Sequence, residues 1–194
     1  MKYVLASGNK GKLAELKALL GPTGIEVVPQ SDFDIPEAIE NGDSFTANAL
    51  IKARHASHLT GLPAIADDSG LEVDALGGEP GVYSARYAGS GASDQDNIDK
   101  LLRALQDVPE SDRSARFHCV IALVNTADDP DPEVFHGTWE GFISIAPQGE
   151  NGFGYDPVFY IPEFKSTSAQ LDPQEKNLLS HRAKAMGQLK SRLL

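Results

Sequence analysis

Two adjacent carboxylates, Asp67 and Asp68, follow a short apolar run and precede Ser69-Gly70. Neighbouring carboxylates at the end of a strand suit a hard, oxygen-seeking cation, above all Mg²⁺, which keeps several waters and bridges to phosphate. Successive side chains of a strand point to opposite faces, so the pattern predicts different roles for the two residues. An acidic turn held by local hydrogen bonds is the alternative. A further carboxylate could come from Glu37 or Glu40.

A segment rich in glycine and lysine, Ser7-Gly8-Asn9-Lys10-Gly11-Lys12, follows the first apolar run and opens a helical pattern. Glycines allow a tight turn, and the free N–H groups of a helix N-terminus attract an anion. The spacing is neither that of a Walker A loop nor Gly-x-Gly-x-x-Gly. The segment indicates either a phosphate site or a strand–helix turn with solvated lysines.

A third segment, Gly152-Phe153-Gly154-Tyr155-Asp156-Pro157, places two aromatic rings and a carboxylate among glycines. Such a loop can present a ring that stacks on a base, and the carboxylate could bond a sugar or a base edge. The alternative is an aromatic residue that anchors the loop in the core. That alternative is favoured for Tyr155 over Phe153.

The last thirty residues are basic, whereas the rest of the chain is acidic. Residues 165–194 contain six basic residues (Lys or Arg) and two acidic ones (Asp or Glu). Residues 1–164 contain 11 basic and 26 acidic residues. Lys176 and Ser180 are four apart and are expected on one helix face. Lysine suits phosphate and Arg182 suits planar oxygen groups. Because no nucleophile motif accompanies His181, a catalytic triad is not indicated. A solvated basic helix is the alternative.

Apolar periodicity predicts strands that alternate with helices. Ser44 and Ser93 are predicted to cap two helices, the first ending near Gly61. The other predicted helices cover residues 10–20 and 173–193. The strands are predicted at residues 2–6, 25–28, 64–66, 71–73, 117–124, 134–139 and 142–145. This order indicates an α/β fold with a mixed sheet.

Composition limits the classes of protein that fit. The 194 residues carry a net charge of −11, which argues against sequence-independent nucleic-acid binding. No apolar run approaches the roughly 18–20 residues that span a membrane. Cys119 is the only cysteine, so no intrachain disulfide is possible, and no secretory signal is recognised. A single domain over residues 1–194 and a cytoplasmic location are expected.

Six motifs occur together in one order, and each lies at the spacing of one known family. With them the sequence resembles the inosine/xanthosine triphosphate pyrophosphatases, the dITP/XTP house-cleaning enzymes, over nearly its whole length. The motifs are Ser7 to Lys12, Asn48 to Arg54, Asp67 to Leu71, Gly77 to Tyr87, Phe153 to Pro157 and Ser180 to Arg182.

The resemblance implies an elongated mixed β-sheet flanked by helices, with two lobes around a central cleft, usually in a homodimer. It implies Mg²⁺-dependent hydrolysis of a purine nucleoside triphosphate to the monophosphate and pyrophosphate. The substrates would be ITP, dITP and XTP, which are thereby removed from the nucleotide pool. Neither nucleic acid nor a membrane would be a partner.

The resemblance also assigns residues. It implies that Asp68 is the proton acceptor and a metal ligand, with Glu40 as the second metal ligand, although Glu37 lies close in sequence. Substrate-binding roles are implied for Ser7, Gly8, Asn9, Lys10, Gly11, Lys12, Lys52, Ser69, Phe153, Gly154, Tyr155, Asp156, Lys176, His181 and Arg182.

Three alternatives stay open at the level of sequence. One is a related Maf-type pyrophosphatase that acts on pyrimidine or guanine nucleotides, against which the Ser-His-Arg segment argues. Another is a nucleotide-binding regulator without turnover, against which the Asp67-Asp68 pair argues. A haloacid-type phosphatase is weaker, because no Asp-x-Asp follows an apolar strand.

Overall fold

In a computed structural model of the chain, residues 2–7, 13, 14, 16, 17, 20, 21 and 24–194 are described. The strands are β1 (Lys2–Leu5), β2 (Glu26–Pro29), β3 (Ala64–Val73), β4 (Ser114–Val124), β5 (Glu133–Ile143), β6 (Phe159–Ile161) and β7 (Ser166–Thr167). The helices with defined bounds are α1 (Phe45–Thr60), α2 (Asp94–Ala104), α3 (Pro173–Leu179) and α4 (His181–Leu193). Residues 13, 14, 16, 17 and 20, in the first predicted helix, are also helical.

The strands form one sheet in the order β2-β1-β3-β4-β5-β6-β7. β1 pairs in parallel with β2 and with β3, whereas β6 pairs antiparallel with β5 and with β7. The predicted α/β class with a mixed sheet is therefore confirmed. None of the helices within the described ranges is long and apolar enough to cross a lipid bilayer.

The chain divides into two compact units. The first comprises Met1–Asp68, Cys119–His136 and Ala185–Leu194, and the second comprises Ser69–His118 and Gly137–Lys184. Each has its own apolar core. Buried members of the first core include Tyr3, Leu5, Val27, Ile65, Ile121 and Leu189. Those of the second include Leu71, Leu101, Phe117, Trp139, Tyr155 and Phe159.

Two helices begin at the serines that the sequence indicates. Ser44 Oγ accepts a hydrogen bond from Ala47 N (3.1 Å), and α1 ends at Gly61 in the left-handed conformation. At α2, Ser93 Oγ accepts from Asp96 N while the Asp96 carboxylate accepts from Ser93 N. These bonds satisfy N–H groups that have no partner inside the helix, which fixes where each helix starts.

The acidic segment lies within a strand. β3 is continuous, so the two separate strands predicted on either side of Asp67 and Asp68 are wrong, and so is the alternative of an acidic turn. Polar residues and glycine disfavour strands by propensity, but pairing within a sheet overrides that preference here. β1 ends at Leu5, which pairs with Ile65. Asp67 and Asp68 therefore lie on β3 just beyond the end of β1.

The strands predicted at residues 134–139 and 142–145 are a single strand, β5, so the break expected between them is wrong. Gly141 stands inside this strand. A Cβ atom there would lie 2.6 Å from Tyr160 O and 2.7 Å from Phe159 Cζ. The glycine therefore marks a close approach of β6 to β5 rather than a turn.

The helix predicted over residues 173–193 is interrupted, so its continuity is wrong. Ser180 separates α3 from α4 with extended backbone angles, and its Oγ accepts from Ala183 N (3.2 Å). Serine prefers such a cap to a helix interior, which explains the break. Lys176 and Ser180 thus do not share one continuous helix face. Leu178 in α3 is 80% exposed, whereas Leu189 in α4 is buried.

Replacing Gly141 with alanine is expected to lower the free energy of unfolding by about 1–3 kcal/mol, because the new methyl group overlaps backbone and ring atoms. Gly187→Ala in α4 is the matched control, since nothing lies within 4 Å of a Cβ there. Alanine is the better helix former, so the control is expected to be neutral or stabilising. Urea unfolding measures both. Equal stability of the two variants would contradict the close approach at β5.

Candidate functional site

Three charged side chains meet in the first unit. Lys52, in the middle of α1, donates from Nζ to Asp68 Oδ1 (2.8 Å) and to Glu40 Oε2 (3.2 Å). The Lys52 side chain is 14% exposed and that of Asp68 12%. Charges this far removed from water need partners of opposite sign, so the three groups depend on one another.

Asn48 organises this group from one turn earlier on α1. Its side chain is buried, and its Oδ1 accepts from Gly42 N (2.8 Å). A Cβ at Gly42 would lie 2.7 Å from Asn48 Oδ1, so only glycine allows this approach. Asn48 thereby fixes the segment that carries Glu40 relative to the helix that carries Lys52.

The surroundings of Lys52 and Asp68 raise the pKa of both side chains. Burial lowers the pKa of Lys52, but attraction from Asp68 and Glu40 outweighs it, so the pKa lies above its ordinary value. Burial raises the pKa of Asp68, which Lys52 opposes only in part and Glu40 reinforces. Lys52 therefore stays positively charged, and Asp68 is a stronger base than an exposed aspartate.

A cavity of about 150 Å³ opens beside this group. Its wall is predominantly polar and includes Ser7, Glu37, Glu40, Lys52 and Asp67. Both glutamates considered for a metal thus face the same space. Of the two, Glu40 is the one whose carboxylate shares a cation with Asp68.

The donor set fits a divalent cation. Glu40 Oε2 and Asp68 Oδ1 already contact a single positive atom, Lys52 Nζ, and carboxylate oxygens are the ligands that Mg²⁺ prefers. Among the described residues, no three His, Cys, Asp or Glu side chains gather to hold a metal by themselves. Mg²⁺ is usually coordinated by one or two carboxylates, and water and phosphate oxygens supply its other ligands. The metal roles of Glu40 and Asp68 stay predictions.

The second unit contains a separate pocket of about 170 Å³ with mostly apolar walls. Residues 69–71, 84, 85 and 153–156 contribute to it, together with Phe117, Lys176 and His181. An apolar pocket with a few polar atoms suits a flat organic ligand, which the apolar walls cover and the polar atoms orient. This unit therefore brings the aromatic loop and the basic segment together, as the sequence predicts.

Tyr155 anchors the aromatic loop. Its ring is buried in the core and its hydroxyl donates to Ser84 O (2.7 Å). Ser84 is itself fixed, because its Oγ accepts from Leu71 N (2.8 Å). The expectation that Tyr155 rather than Phe153 is the core anchor agrees with these contacts.

Asp156 anchors the same loop through hydrogen bonds to its carboxylate. It is 3% exposed, and its oxygens accept from Phe153 N (2.8 Å), Ser168 Oγ (2.6 Å) and Lys176 Nζ (2.5 Å). Gly152 has a φ of +82°, and a Cβ there would lie 2.1 Å from Asp156 Oδ2, so glycine is required. These contacts make Asp156 an anchor of the loop. The contact with substrate predicted for it stays a prediction.

Phe153 presents its ring outward. The side chain is 70% exposed, and Lys176 Nζ lies 5.2 Å from the ring centroid. Asp156 and Phe153 therefore hold the Lys176 ammonium at the pocket wall. An exposed aromatic face beside a cation is suited to stacking on a base and attracting a nearby anion.

Further residues of the pocket wall come from β3 and α4. The His181 ring stacks on Phe117, with 4.9 Å between centroids and 18° between planes. Ser69 Oγ is buried and has no hydrogen-bond partner among the described residues. A buried hydroxyl costs free energy unless a partner arrives, so Ser69 is ready to bond a ligand. Arg182, adjacent to His181, is half-buried.

The sequence analysis missed two residues of α2 that shape this pocket. Asp94 Oδ2 accepts from Gly154 N (2.6 Å). Asn97 is buried, accepts from Ala88 N (2.7 Å) and donates to Ala85 O (3.3 Å). A signal existed for Asn97, because it lies four residues before Leu101 on the apolar face of α2. Nothing in the local sequence indicated the partner of Asp94, which is sixty residues away.

Part of the predicted phosphate turn lies outside the described residues. These positions are Gly8, Asn9, Lys10, Gly11 and Lys12. Ser7, which precedes them, is described and lines the cavity of the first unit. The roles predicted for this turn stay predictions.

These features define a class of protein: an α/β protein with a mixed sheet, a partly buried group of one lysine and two carboxylates, and a pocket that suits a flat ligand. The sequence profile of the Ham1 family matches residues 3–192. A protein of Vibrio cholerae named dITP/XTP pyrophosphatase is 61% identical over 188 residues, covering 97% of this chain and 94% of that protein. The chain belongs to the Ham1 family, so the resemblance seen in the sequence is confirmed.

Solved structures agree with this assignment. A Ham1 protein from Coxiella burnetii superposes with a TM-score of 0.97 at 54% identity, covering 100% of this chain and 98% of that one. A structure from Mycobacterium abscessus, described as a nucleoside-triphosphatase / dITP/XTP pyrophosphatase, superposes with a TM-score of 0.84 at 45% identity, covering 97% of each chain.

Asp156→Ala is expected to lower the free energy of unfolding by about 2–4 kcal/mol, because three donors lose a buried acceptor. Phe153→Ala is the control from the same loop, since its ring is largely exposed and the expected change is within about 0.5 kcal/mol. Thermal and urea unfolding measure the difference. An Asp156→Ala variant as stable as the parent would show that the carboxylate does not anchor the loop.

Proposed function

We propose that the chain is a nucleoside triphosphate pyrophosphatase that acts on deaminated purine nucleotides. It would hydrolyse ITP, dITP and XTP to the monophosphate and pyrophosphate with Mg²⁺ as cofactor. Relatives named dITP/XTP pyrophosphatase that match nearly the whole length support this. The observation that carries the proposal in this molecule is the group formed by Lys52, Asp68 and Glu40, in which Lys52 and Glu40 line a polar cavity.

Hydrolysis of a phosphoanhydride calls for charge stabilisation and an activated water rather than a covalent nucleophile. Asp68, whose pKa burial raises, would take a proton from that water. Lys52 supplies a positive charge for the phosphate oxygens, and Ser7 contributes to the polar wall of the same cavity. Glu40 and Asp68 would hold Mg²⁺, which when bound neutralises phosphate charge and lowers the pKa of a coordinated water.

The second unit supplies the chemistry for a purine base. The exposed ring of Phe153 can stack on the base, while Ser69 Oγ and His181 offer polar atoms for its edge. The same role for Arg182 rests on the resemblance alone. A hydrogen-bond donor of the pocket that pairs with a 6-oxo group would face another donor if the base were adenine, which has a 6-amino group instead. That mismatch is costly in a desolvated pocket, so adenine nucleotides are rejected.

Three further properties belong to the proposal. The resemblance supports a homodimer, and the single cysteine, Cys119, supports a reducing compartment such as the cytoplasm. The net charge of −11 supports a small nucleotide rather than nucleic acid as the partner.

Specificity provides the first test. The purified protein is assayed with Mg²⁺ on ITP, dITP, XTP, GTP, ATP and CTP, and kcat/KM is compared. We expect the three deaminated purines to exceed ATP by about 100-fold or more, because an unpaired polar edge in the pocket is rejected strongly. A preference for CTP or GTP would instead indicate the Maf-type activity. Binding of ITP without turnover at any Mg²⁺ concentration would indicate a regulator.

Asp68→Asn tests the proposed base. We expect kcat on ITP to fall by about 100-fold or more while the protein stays folded, because an amide cannot accept the proton. Asp43→Asn is the matched control, since Asp43 is exposed on the segment just before α1. Circular dichroism and thermal unfolding check the fold. Near-normal turnover by Asp68→Asn would remove Asp68 from the catalytic role.

A further inference from the structure

The ammonium of Lys52 contacts both carboxylates that are proposed as metal ligands. Its Nζ lies 2.8 Å from Asp68 Oδ1 and 3.2 Å from Glu40 Oε2. The negative charge of Asp67 also acts on Lys52. One ammonium thus offsets part of the negative charge that would otherwise attract a divalent cation.

The ammonium and a divalent cation cannot use these oxygens together. Magnesium–oxygen distances are about 2.0–2.1 Å, so an ion bound to both carboxylates would lie within a few ångströms of Nζ. Two positive charges at that separation in a partly buried site repel strongly. Entry of the metal therefore requires that the Lys52 ammonium move away from Asp68 and Glu40.

We propose that Lys52 excludes the divalent cation from the Glu40–Asp68 pair until a triphosphate draws its ammonium away. This inference rests on the proposed function, because the phosphate oxygens are what compete for the lysine. Lys52 then has two positions with two partners, the carboxylates in the free protein and the phosphates in the complex. The metal and the nucleotide consequently bind with positive coupling, and each raises the affinity for the other by the same factor.

The local structure permits this exchange. α1 is held at its ends by the Ser44 cap and by Gly61, and Asn48 keeps its contact with Gly42, so the backbone need not move. Only the flexible stem of Lys52, with its four rotatable bonds, has to turn. The side chain lines the cavity together with Ser7, so an anion in that cavity lies within its reach.

Metal binding to the nucleotide-free protein tests the proposal directly. Mn²⁺ serves as a paramagnetic substitute for Mg²⁺, and free Mn²⁺ is measured by electron paramagnetic resonance during titration. We expect Lys52→Met to bind Mn²⁺ about tenfold more tightly than the parent, because a competing positive charge is gone. Lys52→Gln is a second variant that keeps a polar side chain, in case methionine disturbs folding. Thermal unfolding verifies that each variant is folded.

Lys100→Met is the matched control. Lys100 Nζ donates to Tyr87 O (2.6 Å) and lies over the Tyr87 ring, within the second unit. The substitution removes the same formal charge from the chain and is expected to leave Mn²⁺ affinity unchanged. The double variant Glu40→Gln with Lys52→Met is expected to lose the tenfold gain, because one of the two carboxylates that attract the ion has been neutralised.

Addition of a non-hydrolysable ITP analogue completes the test. The affinity advantage of Lys52→Met for Mn²⁺ is expected to disappear, because in the parent the phosphates have already displaced the lysine. Equal or weaker Mn²⁺ binding by Lys52→Met and Lys52→Gln without nucleotide would overturn the proposal even if the parent hydrolyses ITP. A tenfold gain in a protein that leaves ITP intact would overturn the proposed function and retain the exclusion of metal by Lys52.

Discussion

The attraction between Lys52 and two carboxylates is the interaction on which the first unit depends. Asp68 and Lys52 are nearly buried, and each would be costly to remove from water alone. Together they are tolerated, provided that the atoms stay within hydrogen-bonding distance. That condition explains why α1 is capped at Ser44, why Asn48 is buried beside Lys52, and why Gly42 carries no side chain.

The second unit meets a different requirement, which is to present an aromatic ring and a cation from a loop. Phe153 is exposed, so packing of its own ring does not fix it. Its backbone N–H is held by Asp156, and the next residue, Gly154, is held by Asp94. The ring of Tyr155 is buried in the core, and its hydroxyl donates to Ser84 O. A rigid loop presents its ring and its cation without a further loss of conformational entropy when a ligand binds.

Local sequence was sufficient to predict an element whose position depends on a signal within a few residues. Serine caps predicted the starts of α1 and α2, and apolar periodicity predicted most strands. Prediction from local sequence failed where contacts between residues distant in sequence determine the structure. Asp67 and Asp68 lie in a strand because β3 continues past the end of β1, and Gly141 lies in a strand because β6 passes close to it.

The same distinction holds for the site. The resemblance assigned site roles to Lys52, Asp68, Phe153 and Lys176, and the structure brings Lys52 to Asp68 and Phe153 to Lys176. Motifs could not show that the Asp156 oxygens bond protein donors, or that Ser180 divides the basic segment into two helices. Those facts depend on Ser168 and on the cap of α4, whose effects appear only when the chain is folded. The positions of Gly8 to Lys12 stay a prediction of the sequence.

The identity of the products tests the central claim most directly. Phosphorus-31 NMR of the parent protein with ITP and Mg²⁺ follows every phosphate in one tube. A site that hydrolyses between the α and β phosphates converts the three triphosphate signals into those of IMP and pyrophosphate alone. Appearance of IDP with orthophosphate would contradict the account, because the bond broken would then be the terminal one.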